Sequence, residues 1–160
     1  EALDELRHLL GTLRAPEEAG IEGADNAAST VRLEGLPALV EHAVDAGLPT
    51  TLSELGDPWP VPDVVQVNLY RIVQEALTNA RRHGGPDARA DVRLRYSPDA
   101  VEIEVTNTGR TGVPSGGGLG LVGMRERASA SGGTIDAGPR SRGGYLVRVR
   151  VPRQPAAELA

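Results

Sequence analysis

Glu75, Asn79 and His83 stand four residues apart in the run Tyr70-Arg71-Ile72-Val73-Gln74-Glu75-Ala76-Leu77-Thr78-Asn79-Ala80-Arg81-Arg82-His83. On a helix this spacing puts a carboxylate, a carboxamide and an imidazole on one stripe, with Arg82 beside them. Acidic, neutral-polar and basic groups ordered along one helical face suit a magnesium–nucleotide site. Leu69, Ile72, Val73, Ala76 and Ala80 supply an adjacent apolar face on which such a helix can pack. Polar residues at i and i+4 also occur on any half-exposed helix, so the meaning of the stripe depends on the residues downstream of it.

Two glycine motifs lie there. Val105-Thr106-Asn107-Thr108-Gly109 falls at the end of a strand-like run. A polar side chain leaving a sheet just before a glycine can hydrogen-bond a planar base edge, and the glycine lets the base approach the backbone. An Asx-type turn closing the strand is the other reading. Gly116-Gly117-Gly118-Leu119-Gly120-Leu121-Val122-Gly123-Met124-Arg125-Glu126-Arg127 is a glycine-rich loop running into a helix, which turns backbone N–H groups toward an anion. It lacks the Lys-Ser/Thr of a Walker loop and does not follow a strand directly, as a dinucleotide fingerprint would. A flexible linker is the alternative, though linkers do not usually run straight into Leu-Val-Gly-Met-Arg-Glu-Arg.

The elements that must hold these residues are legible as periods. Leu3, Leu6, Leu10 and Leu13 form an a/d seam two heptads long in residues 2–13, the expected end of a longer coiled-coil-like helix. Residues 15–30 have no periodicity and read as a linker. Pro37 suits the first turn of a helix through about Ala46, closed by Gly47. Thr50–Leu55 reads as a strand. Pro58, Pro60 and Pro62 then break the chain before a helix over 63–83, which Gly84-Gly85-Pro86 ends. Val92, Leu94 and Tyr96 alternate with arginines, and Val101, Ile103 and Val105 with glutamates, across a turn at Ser97-Pro98-Asp99. That is a hairpin with a charged solvent face. Residues 121–131 read as helical, and Thr134–Asp136 with Tyr145–Val151 as a closing hairpin. The pattern predicts a two-layer α/β (α+β) sandwich: a mixed, largely antiparallel sheet of about five strands covered on one face by three helices.

Composition narrows the function further. The 160 residues suffice for one domain with a core and a short appendage. A net charge of −5 argues against a general nucleic-acid binder. The absence of cysteine excludes disulfides and thiolate metal sites, and His8, His42 and His83 are too scattered to suggest zinc. No apolar run is long enough to span a bilayer and no signal peptide is visible at Glu1, where the lack of methionine suggests a fragment of a longer protein.

The three motifs, in this order, resemble the N, G1 and G2 boxes of the Bergerat-fold ATPases. More narrowly, they are similar to the catalytic ATP-binding domain of bacterial sensor histidine kinases. Gln74-Glu75-Ala76-Leu77-Thr78-Asn79-Ala80 and Gly120-Leu121-Val122-Gly123-Met124-Arg125-Glu126-Arg127 resemble the nitrate-sensor and DesK-like branch. The resemblance implies a catalytic domain at 32–152, the end of a dimerisation helix at 1–14, a linker at 15–31 and a flexible tail at 153–160. It implies ATP as substrate and Mg²⁺ as cofactor, with the Asn79 side-chain oxygen on the metal beside phosphate oxygens and water. Glu75 would orient a water or polarise the attacking group, and Arg82 and His83 would neutralise phosphate charge. Asn107 and Gly109 would meet the base. Residues 110–117 would form a mobile lid, which Gly118 and Gly120 free to close, with Leu121 beside the nucleotide. Little covalent chemistry is asked of such a domain, because phosphoryl transfer depends mostly on positioning and electrostatics.

The implied partners are a dimerisation and phosphoacceptor domain of the same protein and a response regulator. A homodimer is implied for the full-length protein, and a cytoplasmic location for this domain of a parent that a membrane segment could anchor. Two departures stand out. The family's G1 box carries an aspartate that accepts a hydrogen bond from the adenine amine, and here that position is Asn107. The family's phosphoacceptor histidine is followed by an acidic residue, whereas His8 is followed by Leu9 and reads as a solvent-facing helix residue. His42 reads as structural or exposed, and Trp59 as packing a loop. An anti-sigma-factor-type serine kinase of the same fold, or a degenerate nucleotide-binding module without kinase activity, are the competing readings.

Overall fold

The computed structural model of the chain describes residues 31–109 and 118–154. The expected leucine helix at 2–13, the linker, the lid at 110–117 and most of the tail lie outside the described residues. A 3₁₀ turn at Leu33–Gly35 leads into α1 (Leu36–Asp45), β1 (Thr50–Leu55) and the long α2 (Asp63–His83). The hairpin β2 (Ala90–Ser97) and β3 (Ala100–Asn107) comes next, then α3 (Gly118–Ala130) and the hairpin β4 (Thr134–Pro139) and β5 (Tyr145–Pro152).

The strands form one sheet in the order β1-β2-β3-β5-β4. β1 runs parallel to β2, and the other pairs are antiparallel. The parallel pair follows from its connection, since α2 crosses over between β1 and β2 and a crossover returns the chain in the same direction. In the β2–β3–β5 register, Val92 lies beside Val105 and Val147, and Leu94 beside Ile103 and Val149. These apolar rows face the helices, and all six side chains are buried. The alternate rows place Arg93, Glu104 and Arg148 side by side on the opposite face, with Arg148 3.6 Å from Glu104.

Helix α2 is the spine of the second layer. Val65, Leu69, Ile72, Val73, Ala76, Leu77 and Ala80 are buried at helical spacing, so one continuous stripe packs on the sheet. Leu36 and Leu39 of α1 and Met124 and Ala128 of α3 fill the flanks. Both shorter helices end in the same way. The N–H of Leu48 bonds to the Ala43 carbonyl and that of Gly47 to Val44, with Gly47 at φ +103°. The N–H of Gly133 bonds to Ala128 and that of Gly132 to Ser129, with Gly132 at φ +78°. These are paired Schellman closures, which need a left-handed residue where both sequences provide glycine. Trp59 packs its loop, as its proline-rich setting suggested. Its ring meets Tyr96 edge-on at 6.3 Å, its Nε1 donates to the Ser97 carbonyl at 2.8 Å, and Arg153 lies 4.6 Å over its face.

Candidate functional site

The apolar stripe of α2 leaves a second face free, and Glu75 and Asn79 lie on it, both half-buried. Arg82 and His83 are exposed in the last turn, where with Arg81 they also complement the negative end of the helix dipole. Asn68 lies seven residues before Glu75 on the same stripe. Its Nδ2 donates to Ser131 Oγ at 2.9 Å, and that hydroxyl donates in turn to the Arg127 carbonyl at 3.0 Å. The C-terminal end of α3 is thereby fixed to the first half of α2, and Glu75 and Asn79 continue the stripe beyond that contact.

At the far end of α2 the chain approaches the end of β3 very closely. Gly109 has φ +119°, and a Cβ there would collide with the Gly84 carbonyl. A Cβ on Gly84 would lie 2.6 Å from both the Ala80 carbonyl oxygen and the Ala88 Cβ. Glycine at 109 lets the two backbones touch, and glycine at 84 fits against the end of its own helix and Ala88. The contact joins the polar end of α2 to the Asn107–Gly109 turn, two stretches that are far apart in sequence.

Asn107 is the last residue of β3 and continues the row of Ile103 and Val105 on the helix-covered face, where it is 7% exposed. Its Nδ2 donates to the Thr108 carbonyl at 2.8 Å. Its own carbonyl accepts a bond from Arg140 Nη1 at 3.2 Å, and a Cβ on Gly144 would strike the same carbonyl. Thr108 is held to the start of β2 twice, its N–H bonding to the Arg89 carbonyl at 2.8 Å and its Oγ1 accepting from the Arg89 N–H at 3.0 Å. The turn is therefore fixed from both sides of the sheet. Gly118, Gly120 and Leu121 all fall in the first turn of α3, and Leu121 is partly buried against the core. The unpaired N–H groups of a first helical turn make it a place for an anion.

Sequence patterns mark the polar stripe and both glycine motifs but not Gly84, Thr108, Arg140 and Gly144 as supports of the site. Gly84 reads only as a helix stop, and the other three act across strands that are distant in sequence. Among the described residues no group of three or more His, Asp or Glu side chains is assembled for a metal. A cation here would need oxygens from a ligand beside the single amide of Asn79, a donor set that fits magnesium arriving with phosphates better than a resident ion.

The chain is 33% identical over 136 residues, 84% of its length, to the sensor histidine kinase LnrJ of Bacillus subtilis, and covers 31% of that protein. It is 36% identical over 92 residues, 55% of its length, to the oxygen sensor histidine kinase NreB of Staphylococcus carnosus, and covers 26% of it. It thus spans less than a third of either relative. Among solved structures it resembles the histidine kinase domain of a blue-light activated histidine kinase from Erythrobacter litoralis. The TM-score there is 0.56 at 24% identity, over 72% of this chain and 56% of that one, a likeness of fold. Residues 64–155, which contain the α2 stripe, the Asn107–Gly109 turn and the glycine-rich run, match the family described as histidine kinase-, DNA gyrase B-, and HSP90-like ATPase. With more than half of its length inside that match and a Bergerat-type two-layer fold, the chain belongs to this ATPase family.

Proposed function

We propose that this domain binds Mg-ATP and serves as the catalytic half of a two-component sensor histidine kinase. It passes the γ-phosphoryl group to a histidine on a separate dimerisation domain of the same protein, for relay to an aspartate of a response regulator. The observation that carries the reading is the Gly84–Gly109 contact, which brings the Glu75–Asn79 stripe and the Asn107 turn together within the span shared with the ATPase family. In this reading the Asn79 amide oxygen is a ligand of Mg²⁺, which supplies charge neutralisation at the phosphates. Glu75 orients the attacking group, and Arg82 and His83 face the phosphates. Asn107 and Gly109 meet the adenine, and Gly118, Gly120 and Leu121 close the triphosphate side.

The division into a helix end at 1–14, a linker at 15–31, a catalytic domain at 32–152 and a tail at 153–160 belongs to the same proposal. So do a cytoplasmic location, anchoring of the parent in the plasma membrane and its homodimerisation. Among the described residues no helix is long and apolar enough to cross a membrane. Titration of Mg-ATP is expected to give micromolar-to-millimolar binding that Asn79→Ala abolishes. Adding the helical domain in trans is expected to give acid-labile, alkali-stable phosphate on that domain and none on His8. Absence of any nucleotide binding would sink the proposal, and acid-stable phosphate on an added protein would assign a serine kinase instead.

A further inference from the structure

A concavity of about 460 Å³ opens at the end of the sheet where β3 runs out, beyond the α2 stripe. Thr51, Asp91 and Thr106 line it, one residue from each of three neighbouring strands in direct register. They alternate with the buried rows, so this part of the concavity lies on the sheet face away from the helices. Val44 and Pro49 add an apolar flank, and Val44 is 46% exposed. Arg89, Arg140 and the Asn107–Thr108 end of β3 also line it.

The charges here do not cancel. Asp91 is already satisfied, since one carboxylate oxygen accepts from the Thr51 hydroxyl and the other from Arg93 Nε at 3.1 Å. Arg89 and Arg140 have no carboxylate within 4.0 Å among the described residues. Arg140 gives one N–H to the Asn107 carbonyl and keeps the remainder of its five donors. The Thr106 hydroxyl likewise has no protein partner among the described residues. Two guanidinium groups with no carboxylate partner among the described residues, a hydroxyl and an apolar flank around one concave space match a phosphate group on an organic body. Guanidinium forks bind phosphate oxygens bidentately, and the volume falls in the range of small-molecule pockets.

We propose that this cleft is a second ligand site, separate from the α2 stripe. It takes the phosphate group of a small organic phosphate, held by Arg89 and Arg140, with its body against Val44 and Pro49. The site does not depend on the nucleotide reading of the α2 stripe. Phenyl phosphate titrated into the isotopically labelled full chain tests it by backbone amide NMR. The expected result is saturable shifts at Thr51, Asp91 and Thr106 with millimolar or tighter affinity, unchanged in Asn79→Ala and weakened at least tenfold in Arg89→Gln/Arg140→Gln. Inorganic phosphate, which lacks the apolar body, is expected to bind several-fold more weakly, and equal affinity would overturn the organic part of the assignment. Shifts confined to α2 and α3, or the same affinity in the double variant, would overturn the site. If the double variant does not fold, Arg89→Gln alone decides, because the Arg89 side chain has no hydrogen-bond partner among the described residues, and a loss of at least threefold is expected.

Discussion

The side chain of Asn107 has only one workable orientation. With its nitrogen 2.8 Å from the Thr108 carbonyl it makes a hydrogen bond; turned over, it would set two oxygens against each other. Its own oxygen is therefore left as the acceptor, which is the part an aspartate would play, though without the charge. A purine that meets this oxygen must bring a donor, which a 6-amino group supplies and a 6-oxo group does not. On the nucleotide reading, ATP is expected to bind about tenfold more tightly than inosine triphosphate, on the order of 1.4 kcal/mol. Competition titration checks this, and equal affinities would mean that the amide turns freely. The glycine behind it has an equally specific task. Gly144 sits at φ +88° with no room for a Cβ against the Asn107 carbonyl. Gly144→Ala is expected to lower unfolding stability by about 1–3 kcal/mol in urea titrations. The sequence marks Asn107 and Gly109 as a motif because they stand together. Nothing near Gly144 announces its partner, because the contact is made across strand pairing.

At the scale of elements, those with one buried face and one open one are legible as periods: α2, β2, β3 and β5. α2 shows this most fully, its buried positions following the spacing that a helix lying on a sheet requires. The hairpin of β2 and β3 is legible from alternation, but the environment of its Tyr96 is not. That ring lies beside Trp59 near Glu54, which the proline-rich segment and β1 bring from elsewhere in the chain. Burial first, and then the Glu54 carboxylate, raise the Tyr96 phenol above its ordinary 10.0. The phenol therefore stays neutral in the folded protein at a pH where the unfolded chain has begun to ionise it. Its contribution to stability is present below about pH 10 and is lost as pH rises toward the folded value. Urea midpoints measured from pH 9 to pH 11 are expected to fall less steeply in Tyr96→Phe than in the parent protein. Parallel slopes would show that the ring is not held in this way.

For the whole molecule, what local pattern could not show is strand order. The parallel β1–β2 pair at one edge and β5 between β3 and β4 bring Arg140 to the carbonyl of Asn107. The end of β3 thus stands between two spaces, its Asn107 side chain toward the helices and its carbonyl toward the hairpin turn of β4 and β5. A change at Arg140 should therefore be felt on the helix side without touching any group there. Arg140→Gln removes a charge-assisted donor to that carbonyl and loosens Asn107. On the nucleotide reading Mg-ATP affinity is expected to fall about threefold, roughly half a power of ten. Arg140→Lys, which keeps the charge but not the fork, should recover part of it. Arg89→Gln is the matching control: Arg89 holds Thr108 through its backbone, which the substitution leaves in place. Calorimetric titration of the three variants separates a specific link through Asn107 from a general loss of positive charge. If Arg89→Gln weakens Mg-ATP as much as Arg140→Gln does, the effect is electrostatic attraction at long range. If only Arg140→Gln does, the two faces of the sheet communicate through a single carbonyl.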